Sequence, residues 1–409
     1  MNRWLPFEWI AATRFLRAAS LQTLLIVAGV ALGVSVIVFI SALITGLQNN
    51  LFRRTLDLQA QIVIVPPEEV ARPLRAGVEP GRIATVVQPR AQRLRSVDQW
   101  QAVLAQVRRL PTVTVATPVV SGPAFVVRGE AIQAVNLTGI EPETYLRLVA
   151  LASKMVSGDA EVGTSDVLIG TELAQDLGVD RGDKLILRTT AGGTATLLVR
   201  GLFDFGNRAQ NQRAAYVALR TAQSLLELPG GATSLEINVT DPFAAEDTAV
   251  VISAQTGLDA QSWITTNAQF FSALAAQSMS NVIIRFFVGL SAALGIASVL
   301  VVSVVQKSKE IGILRATGTT RRQILRLFLL QGGLLGLMGS VVGSAAGWFF
   351  LFAWRTLARN ADGTPLFVID FDPWLFVYAA VGATLVGTLA AIFPAAQAAR
   401  LDPVVALRG

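Results

Sequence analysis

The segment from Gln306 to Gln331, QKSKEIGILRATGTTRRQILRLFLLQ, decides how the rest of the chain is read. It lies between two long apolar runs and carries Lys307, Lys309, Arg315, Arg321, Arg322 and Arg326. Ile311, Ile313 and Leu314 fall at near-helical spacing, which predicts a short amphipathic helix closed by Gly318 just past its C-terminal cap. Thr320 followed by Gln323 reads as a capping box that opens the next helix. Basic residues between two membrane-length helices mark the cytoplasmic side. On charge alone this is an ordinary positive-inside connector; its helical pattern points further, to a docking surface.

Working outward, the composition demands both a membrane part and a soluble part. Of 409 residues, 52% are hydrophobic and only 15% charged, with a mean hydropathy of +0.53. A fully soluble protein is less apolar than this, and an all-membrane protein has fewer charged stretches. The net charge of +6 gathers at the ends of the apolar runs, so the positive-inside rule accounts for it and no nucleic-acid partner is expected. The chain has no Cys and no His. That removes disulfides, thiolate metal sites and the usual general base, so neither a metal site nor a catalytic set is expected.

Residues 1–20 mix Trp4, Phe7, Trp9 and Phe15 with Arg3, Arg14 and Arg17, as an interfacial amphipathic helix does. Residues 21–47 form an uncharged run long enough to span a bilayer, and too long for the ~7–15-residue apolar core of a secretory signal. Gly29 and Gly33 on it make a small-xxx-small packing face. Further spans are expected at 282–306, 327–354 and 373–394. Arg285 stands near the outer end of the second, where its head is expected to reach water. The third holds Gly339, Gly343 and Gly347 at four-residue spacing, a second packing face. Asp372 and Pro373 read as N-cap and first residue of the fourth, and Pro394 as its kink or end. Residues 307–326 are the loop with the short helix, 355–372 a short external loop, and 395–409 a tail.

Four spans place both termini on one side, and the basic residues put that side in the cytoplasm. Residues 48–281 then form an extracytoplasmic domain. Strands are expected at Gln61–Val65, Ala124–Arg128 and Ala134–Gly139, and a helix over Gln101–Leu110. Val167–Ile169 reads as a buried strand, followed by a short helix capped by Thr171 and ending at Gly178. Lys184–Thr189 and Thr194–Leu202 read as a hairpin around Gly192-Gly193. Pro66–Pro89 reads as an exposed loop. The expected fold is an α-helical membrane protein with four transmembrane helices and a large mixed α+β extracytoplasmic domain inserted between the first and second.

Catalytic chemistry finds little to stand on. No G-x-x-x-x-G-K-[ST] string occurs, and the Gly-rich TAGGT at 190–194 is a turn rather than a phosphate cradle. Carboxylates pair at Glu68-Glu69, Glu141/Glu143 and Glu161/Asp166 without a nucleophile or ligand pattern beside them, as solvated surface charge does. The spans carry essentially no charge at mid-depth, which disfavours an ion-coupled carrier and suits a hydrophobic cargo or the transmission of motion.

The string KSKEIGILRATGTTRRQIL resembles the cytoplasmic loop of MacB/FtsX-like ABC permeases, matching at Lys307, Glu310, Ile311, Gly312, Ile313, Leu314, Arg315 and Gly318. The resemblance implies a coupling helix seated on a cytoplasmic ATPase, with Lys307, Glu310, Ile311, Gly312, Leu314, Arg315 and Gly318 as the docking set. GVALGVSVIVFISALITGLQNNL and DVLIGTELAQDLGVDRGDKLILR resemble the lipoprotein-releasing, Lol-type branch. So do Gly182-Asp183, Gly201, Phe203, Gly206 and the stretch from Ala215 to Gln223. The ending AARLDPVVALR is similar to that of the superfamily, with Val405 where Glu is common, and Ile44–Leu47 departs from the branch's M-N-G-F. The resemblance implies a non-catalytic permease subunit of the bacterial inner membrane, with ATP and Mg bound by the partner ATPase. A second permease copy, identical or homologous, membrane lipids and a periplasmic carrier or envelope adaptor are the other implied partners. Release of lipoproteins is the implied function; MacB-type efflux of other cargo and FtsX-like signalling to a cell-wall hydrolase stay open.

Overall fold

In a computed structural model, residues 7–18, 20–67, 94–359, 369 and 372–401 are described. The expectations for residues 1–6, for most of the Pro66–Pro89 loop, for most of 355–372 and for the tail beyond 401 lie outside them. The chain opens with α1 (Phe7–Ala18) and α2 (Ser20–Leu58). The middle continues as β1 (Ile62–Val65), α3 (Trp100–Val107), β2 (Val113–Arg128), β3 (Ala131–Ile140), α4 (Pro142–Leu148) and β4 (Met155–Gly158). Next come β5 (Asp166–Gly170), α5 (Thr171–Leu177), β6 (Lys184–Thr189), β7 (Thr194–Phe203), α6 (Arg208–Arg213), β8 (Ala214–Ala218) and α7 (Leu219–Leu225). β9 (Ser234–Val239), α8 (Ala245–Thr256), β10 (Asp259–Ser262) and α9 (Trp263–Thr266) complete it. The chain then returns to long helices: α10 (Ala268–Gln306), α11 (Ser308–Ala316), α12 (Arg321–Leu357), α13 (Pro373–Ala390) and α14 (Ile392–Arg400).

Two units divide the chain, Phe52–Phe271 and the flanking Met1–Leu51 with Ser272–Gly409. In the flanking unit, four helices among the described residues are long and apolar enough to cross a membrane: α2, α10, α12, and α13 continued by α14. α2 runs to Leu58 and α10 starts at Ala268, so both helices extend well past the apolar stretches at 21–47 and 282–306. Nothing in Gln48–Leu58 breaks a helix, and Phe52 and Leu56 pack into an apolar cluster of the middle unit.

Helices in lipid gain nothing from hiding apolar surface and associate instead by close contact of small residues. α12 does so on two faces. A Cβ at Gly339 or Gly347 would press on Val30 or Val38 of α2, and one at Gly343 would fall on the Ala31 carbonyl oxygen. A Cβ at Gly332 or Gly336 would fall on the Gly387 or Ala383 carbonyl of α13. Asp372 caps α13 by accepting from the Trp374 N–H at 2.9 Å, with Pro373 as the first helical residue. The break between α13 and α14 at Ala391 has its cause at Pro394, which has no N–H for the Ala390 carbonyl and whose ring excludes that oxygen. Pro394 itself lies inside α14, so the kink comes before it and the helix runs on to Arg400.

The middle unit is a single ten-stranded mixed sheet with helices against it, ordered β10-β1-β9-β2-β3-β8-β5-β7-β4, with β6 joining β2 to β7. β2 is long because it serves two neighbourhoods. Its first half pairs with β9, and from Val120 it pairs with β3 and, from Ala124, also with β6. One apolar cluster lies beneath α5 and α7, with Leu173, Leu177, Leu219 and Leu225 against β-strand residues such as Val167 and Leu187. A second gathers Ile62, Ile64, Leu104, Ile252 and Trp263 from β1, α3, α8 and α9. The β6–β7 hairpin pairs Lys184 with Leu198 through Arg188 with Thr194 around the Gly192-Gly193 turn. One local expectation is corrected. Thr171 is the first residue of α5 and does not cap it; the N-cap position is Gly170, in extended conformation. A Cβ at Gly170 would run into the Asn211 backbone, so close approach of α6, and no side-chain cap, sets that residue.

Candidate docking site

The short helix α11 is fastened at both ends. Its C-terminus closes by two bonds around Gly318, whose φ of +107° suits a residue without a Cβ. The Gly318 N–H donates to the Arg315 carbonyl at 3.2 Å and the Thr319 N–H to the Leu314 carbonyl at 3.1 Å, the paired bonds of a Schellman closure. Two residues on, Thr320 and Gln323 form a complete capping box for α12. Sequence alone supports both ends, because each needs only neighbours within a few residues.

The residues of the motif then divide by direction. Ile311 and Gly312 are buried, and Leu314 is half-buried against the bundle core. Lys307 stands just before α11 with its Nζ 4.5 Å from the centre of the Phe15 ring of α1 and 3.5 Å from the Glu310 carboxylate. Its side chain is 13% exposed, so the charge is held between a ring face and a carboxylate rather than offered to solvent. Arg315 donates from Nη1 to the Leu401 carbonyl, tying α11 to the end of α14. Five of the seven candidate docking residues, Lys307, Ile311, Gly312, Leu314 and Arg315, are therefore engaged by this chain itself, and Gly318 shapes the turn.

What α11 leaves outward is a different set. Lys309, Glu310, Ile313, Ala316 and Thr317 are exposed and recur at one, four, seven and eight residues from Lys309, which is one continuous helix face. Ile313 is the large apolar residue on it, 53% exposed. Beside it an open groove of about 520 Å³ runs between α1 and α11, lined by Ile10, Arg14, Phe15, Lys307, Glu310 and Ile313. A charged and apolar helix face next to a groove can seat a complementary protein surface; it has no chemistry of its own. Lys309, Ala316 and Thr317 were legible only as the outward side of the helical repeat.

The candidate packing residues also separate. Gly339, Gly343 and Gly347 lie against α2, and Gly33 lies against Val288 of α10, where a Cβ would sit 3.0 Å from its Cγ1. Gly29 meets nothing within 4 Å. It borders an apolar cleft of about 470 Å³ between α2 and α10, so within this chain it is not a contact. Arg285 differs too: its Nη2 donates to the Ser41 hydroxyl on α2 at 2.7 Å rather than serving water alone.

In the middle unit the residues shared with the Lol-type strings are architectural. Gly182 adopts a φ of +94°, and the Asp183 carboxylate accepts from the Asp180 N–H at 3.1 Å and from Arg128 at 3.3 Å, closing the turn before β6. Phe203 is fully buried with its ring centre 5.5 Å from that of Tyr216, and Gln223 donates to the Gly231 carbonyl at 2.8 Å. Glu236 of β9 packs near Tyr145 and Tyr216, and desolvation raises its pKa to about 7. Burial first, then the Glu236 charge, raises the Tyr216 hydroxyl to about 12. Among the described residues, no group of His, Cys, Asp and Glu is arranged to hold a metal ion.

Residues 23–255 match the family described as MacB-like periplasmic core domain, and residues 282–403 the FtsX-like permease C-terminal family. The lipoprotein-releasing system transmembrane protein LolC of Neisseria meningitidis is 24% identical, over 100% of this chain and 99% of its own length. LolC of Xylella fastidiosa is 25% identical over 98% and 99%. The macrolide export ATP-binding/permease protein MacB of Brucella abortus is 26% identical over 97% of this chain but 59% of its own length.

Proposed function

The chain belongs to the MacB-like periplasmic core domain family and is an ABC transporter permease of the LolC/MacB family, and from that premise we propose that it serves lipoprotein release from the inner membrane. The observation that carries the proposal is the end-to-end similarity to LolC, which covers all of this chain and 99% of LolC, whereas the similarity to MacB covers little more than half of that protein. ABC permeases of this family imply a cytoplasmic ATPase partner, and we place its docking on the outward face of α11 with Glu310 and Ile313. ATP and Mg are then bound by that separate chain, and both termini of the permease are cytoplasmic. A second permease copy, identical or homologous, completes the transporter across the α2–α10 face that holds Gly29 and Gly33. Closure of the ATPase pair pulls on α11, which is tied to α1 through Lys307 and to α14 through Arg315, so the membrane helices move together.

Gentle purification from native membrane, followed by mass spectrometry of everything bound, tests this. Recovery of an ATPase together with triacylated lipoprotein is the expected result. An ATPase recovered with an envelope adaptor and no lipoprotein assigns the chain to general efflux, and one recovered with a cell-wall hydrolase assigns it to signalling. Absence of any ATPase overturns the docking assignment.

A further inference from the structure

Arg285 is the one charged residue of α10, and neither α13 nor residues 20–52 of α2 carry any charge. It stands beside an open cleft of about 270 Å³ between α2, α10 and α13. The cleft wall is apolar, with Val34, Ala292 and Ile296 among its residues; its polar groups are the Arg285 guanidinium, the Ser41 hydroxyl and Tyr378. These three lie at matching depth. Arg285 is three residues inside its span, Tyr378 five residues from the start of α13 and Ser41 six from the end of the first apolar run, or about 5–9 Å at 1.5 Å per residue. That is one to two turns below the outer ends of the spans, where a lipid phosphate and glycerol meet the acyl region.

The guanidinium spends one of its N–H groups on Ser41, which is 3% exposed and, accepting that bond, keeps its own O–H to donate. Arg285 is itself exposed, and no carboxylate is among the residues lining the cleft with it. A cation at the edge of low-dielectric surroundings favours a counter-ion strongly, and here that ion comes from outside the chain. It must carry an anionic head for Arg285 and an apolar body for the wall. A phosphate offers bidentate acceptance to a guanidinium. An ethanolamine head would bring an ammonium, and no acidic residue lines the cleft to receive it, so a head of net negative charge fits better.

We propose that the α2–α10–α13 cleft binds one anionic phospholipid, its phosphate on Arg285 and Ser41 and an acyl chain along the apolar wall. Such a lipid bridges three helices at the level where they leave the bilayer, and its presence stiffens α13 against α2 and α10. The site is separate from the docking face on α11 and independent of which cargo the permease carries.

The test uses the full chain in mild detergent, titrated with phosphatidylglycerol or with phosphatidylethanolamine of the same acyl chains, and read by native mass spectrometry. One saturable phosphatidylglycerol per chain is expected, bound about tenfold more tightly than phosphatidylethanolamine, a difference of about 1.4 kcal/mol. Arg285→Gln should bring the two lipids to equal affinity. Gly382→Leu, placed where a Cβ meets open space in the cleft, should weaken both lipids while keeping the preference for the anionic one. Size-exclusion profile and unfolding midpoint report folding, and Ser41→Ala takes the place of Arg285→Gln if that variant does not fold. A preference for phosphatidylglycerol that survives Arg285→Gln overturns the proposal, as does the lack of any saturable lipid. Displacement of the bound lipid by an equimolar triacylated peptide overturns it as well, by making the cleft a cargo site.

Discussion

Gly343 and Gly29 belong to the same kind of sequence pattern, small residues at four-residue spacing on an apolar helix, yet their surroundings are opposite. The Ala31 backbone occupies the space a side chain at Gly343 would need, whereas Gly29 faces an open cleft. The pattern states that a helix can be approached closely; a neighbour decides whether it is. The same division runs through α11, where Lys307 and Arg315 are bound to other parts of this chain while Glu310 and Ile313 stay exposed. Residues already occupied carry the stability of the fold, and residues left open carry its associations.

The largest effect expected from this contrast is on the α2–α12 contact. Gly343→Leu forces α12 off Ala31 and Val34, and overpacking against backbone falls at or above the usual ~1–3 kcal/mol. The variant should lose its folded, monodisperse peak in size-exclusion chromatography or unfold at a midpoint lower by ten degrees or more. Gly29→Leu should stay within about 0.5 kcal/mol of the native chain in the isolated protomer. Equal losses at both positions would break the contrast. A loss at Gly29 that appears only in the assembled transporter would sharpen it, by identifying the second copy as the neighbour.

A smaller effect belongs to Glu236, an occupied position of another kind, since its surroundings withhold water without supplying a cation. Folding raises its pKa from 4.5 to about 7 through desolvation. The folded domain therefore binds this proton more tightly than the unfolded chain does. The group's contribution is fully present below about pH 4.5, declines as the pH rises to about 7 and does not change above that. Glu236→Gln should flatten this slope and make the domain more stable than native at pH 8, on the order of 2 kcal/mol. Hydrogen exchange of the β9 amides in the full chain at pH 5 and pH 8 reads it. An unchanged slope in the variant would show that the carboxyl reaches water.

The features legible in the sequence are those set by near neighbours. Gly318, the Thr320–Gln323 capping box, Asp372-Pro373 and the Gly192-Gly193 hairpin each depend on residues within one turn or one loop, and each was readable. The sheet order was not. β3 lies parallel to β8 and the first half of β2 pairs with β9, pairings between segments many tens of residues apart that alternation within a strand does not encode. The helical continuation of α2 past Leu47 was hidden because hydropathy marks where lipid ends and not where a helix does. In the docking segment the residue types were legible but their direction was not. Arg315 reads as a docking charge until Leu401, 86 residues away, takes its hydrogen bond.

That last case sets the smallest stability effect and the most discriminating one. Arg315→Ala removes a charged donor from the Leu401 carbonyl, a loss of about 1.5–3 kcal/mol where such a bond is fully formed and less where water can replace it. Since Arg315 is half-exposed, a midpoint lower by only a few degrees is expected, with ATPase recovery reduced because α11 is loosened from α14. Ile313→Asp alters a side chain that is 53% exposed and outside the bundle core, so unfolding should change by no more than about 0.5 kcal/mol while ATPase recovery is lost. The two variants separate fastening from docking by one comparison, unfolding midpoint against co-purified ATPase. If Ile313→Asp destabilises the permease and Arg315→Ala does not, the inward and outward faces of α11 have been assigned the wrong way round. If Ile313→Asp leaves ATPase recovery intact, the partner grips the basic turn at Arg321 and Arg322 instead, and the open face of α11 serves another association.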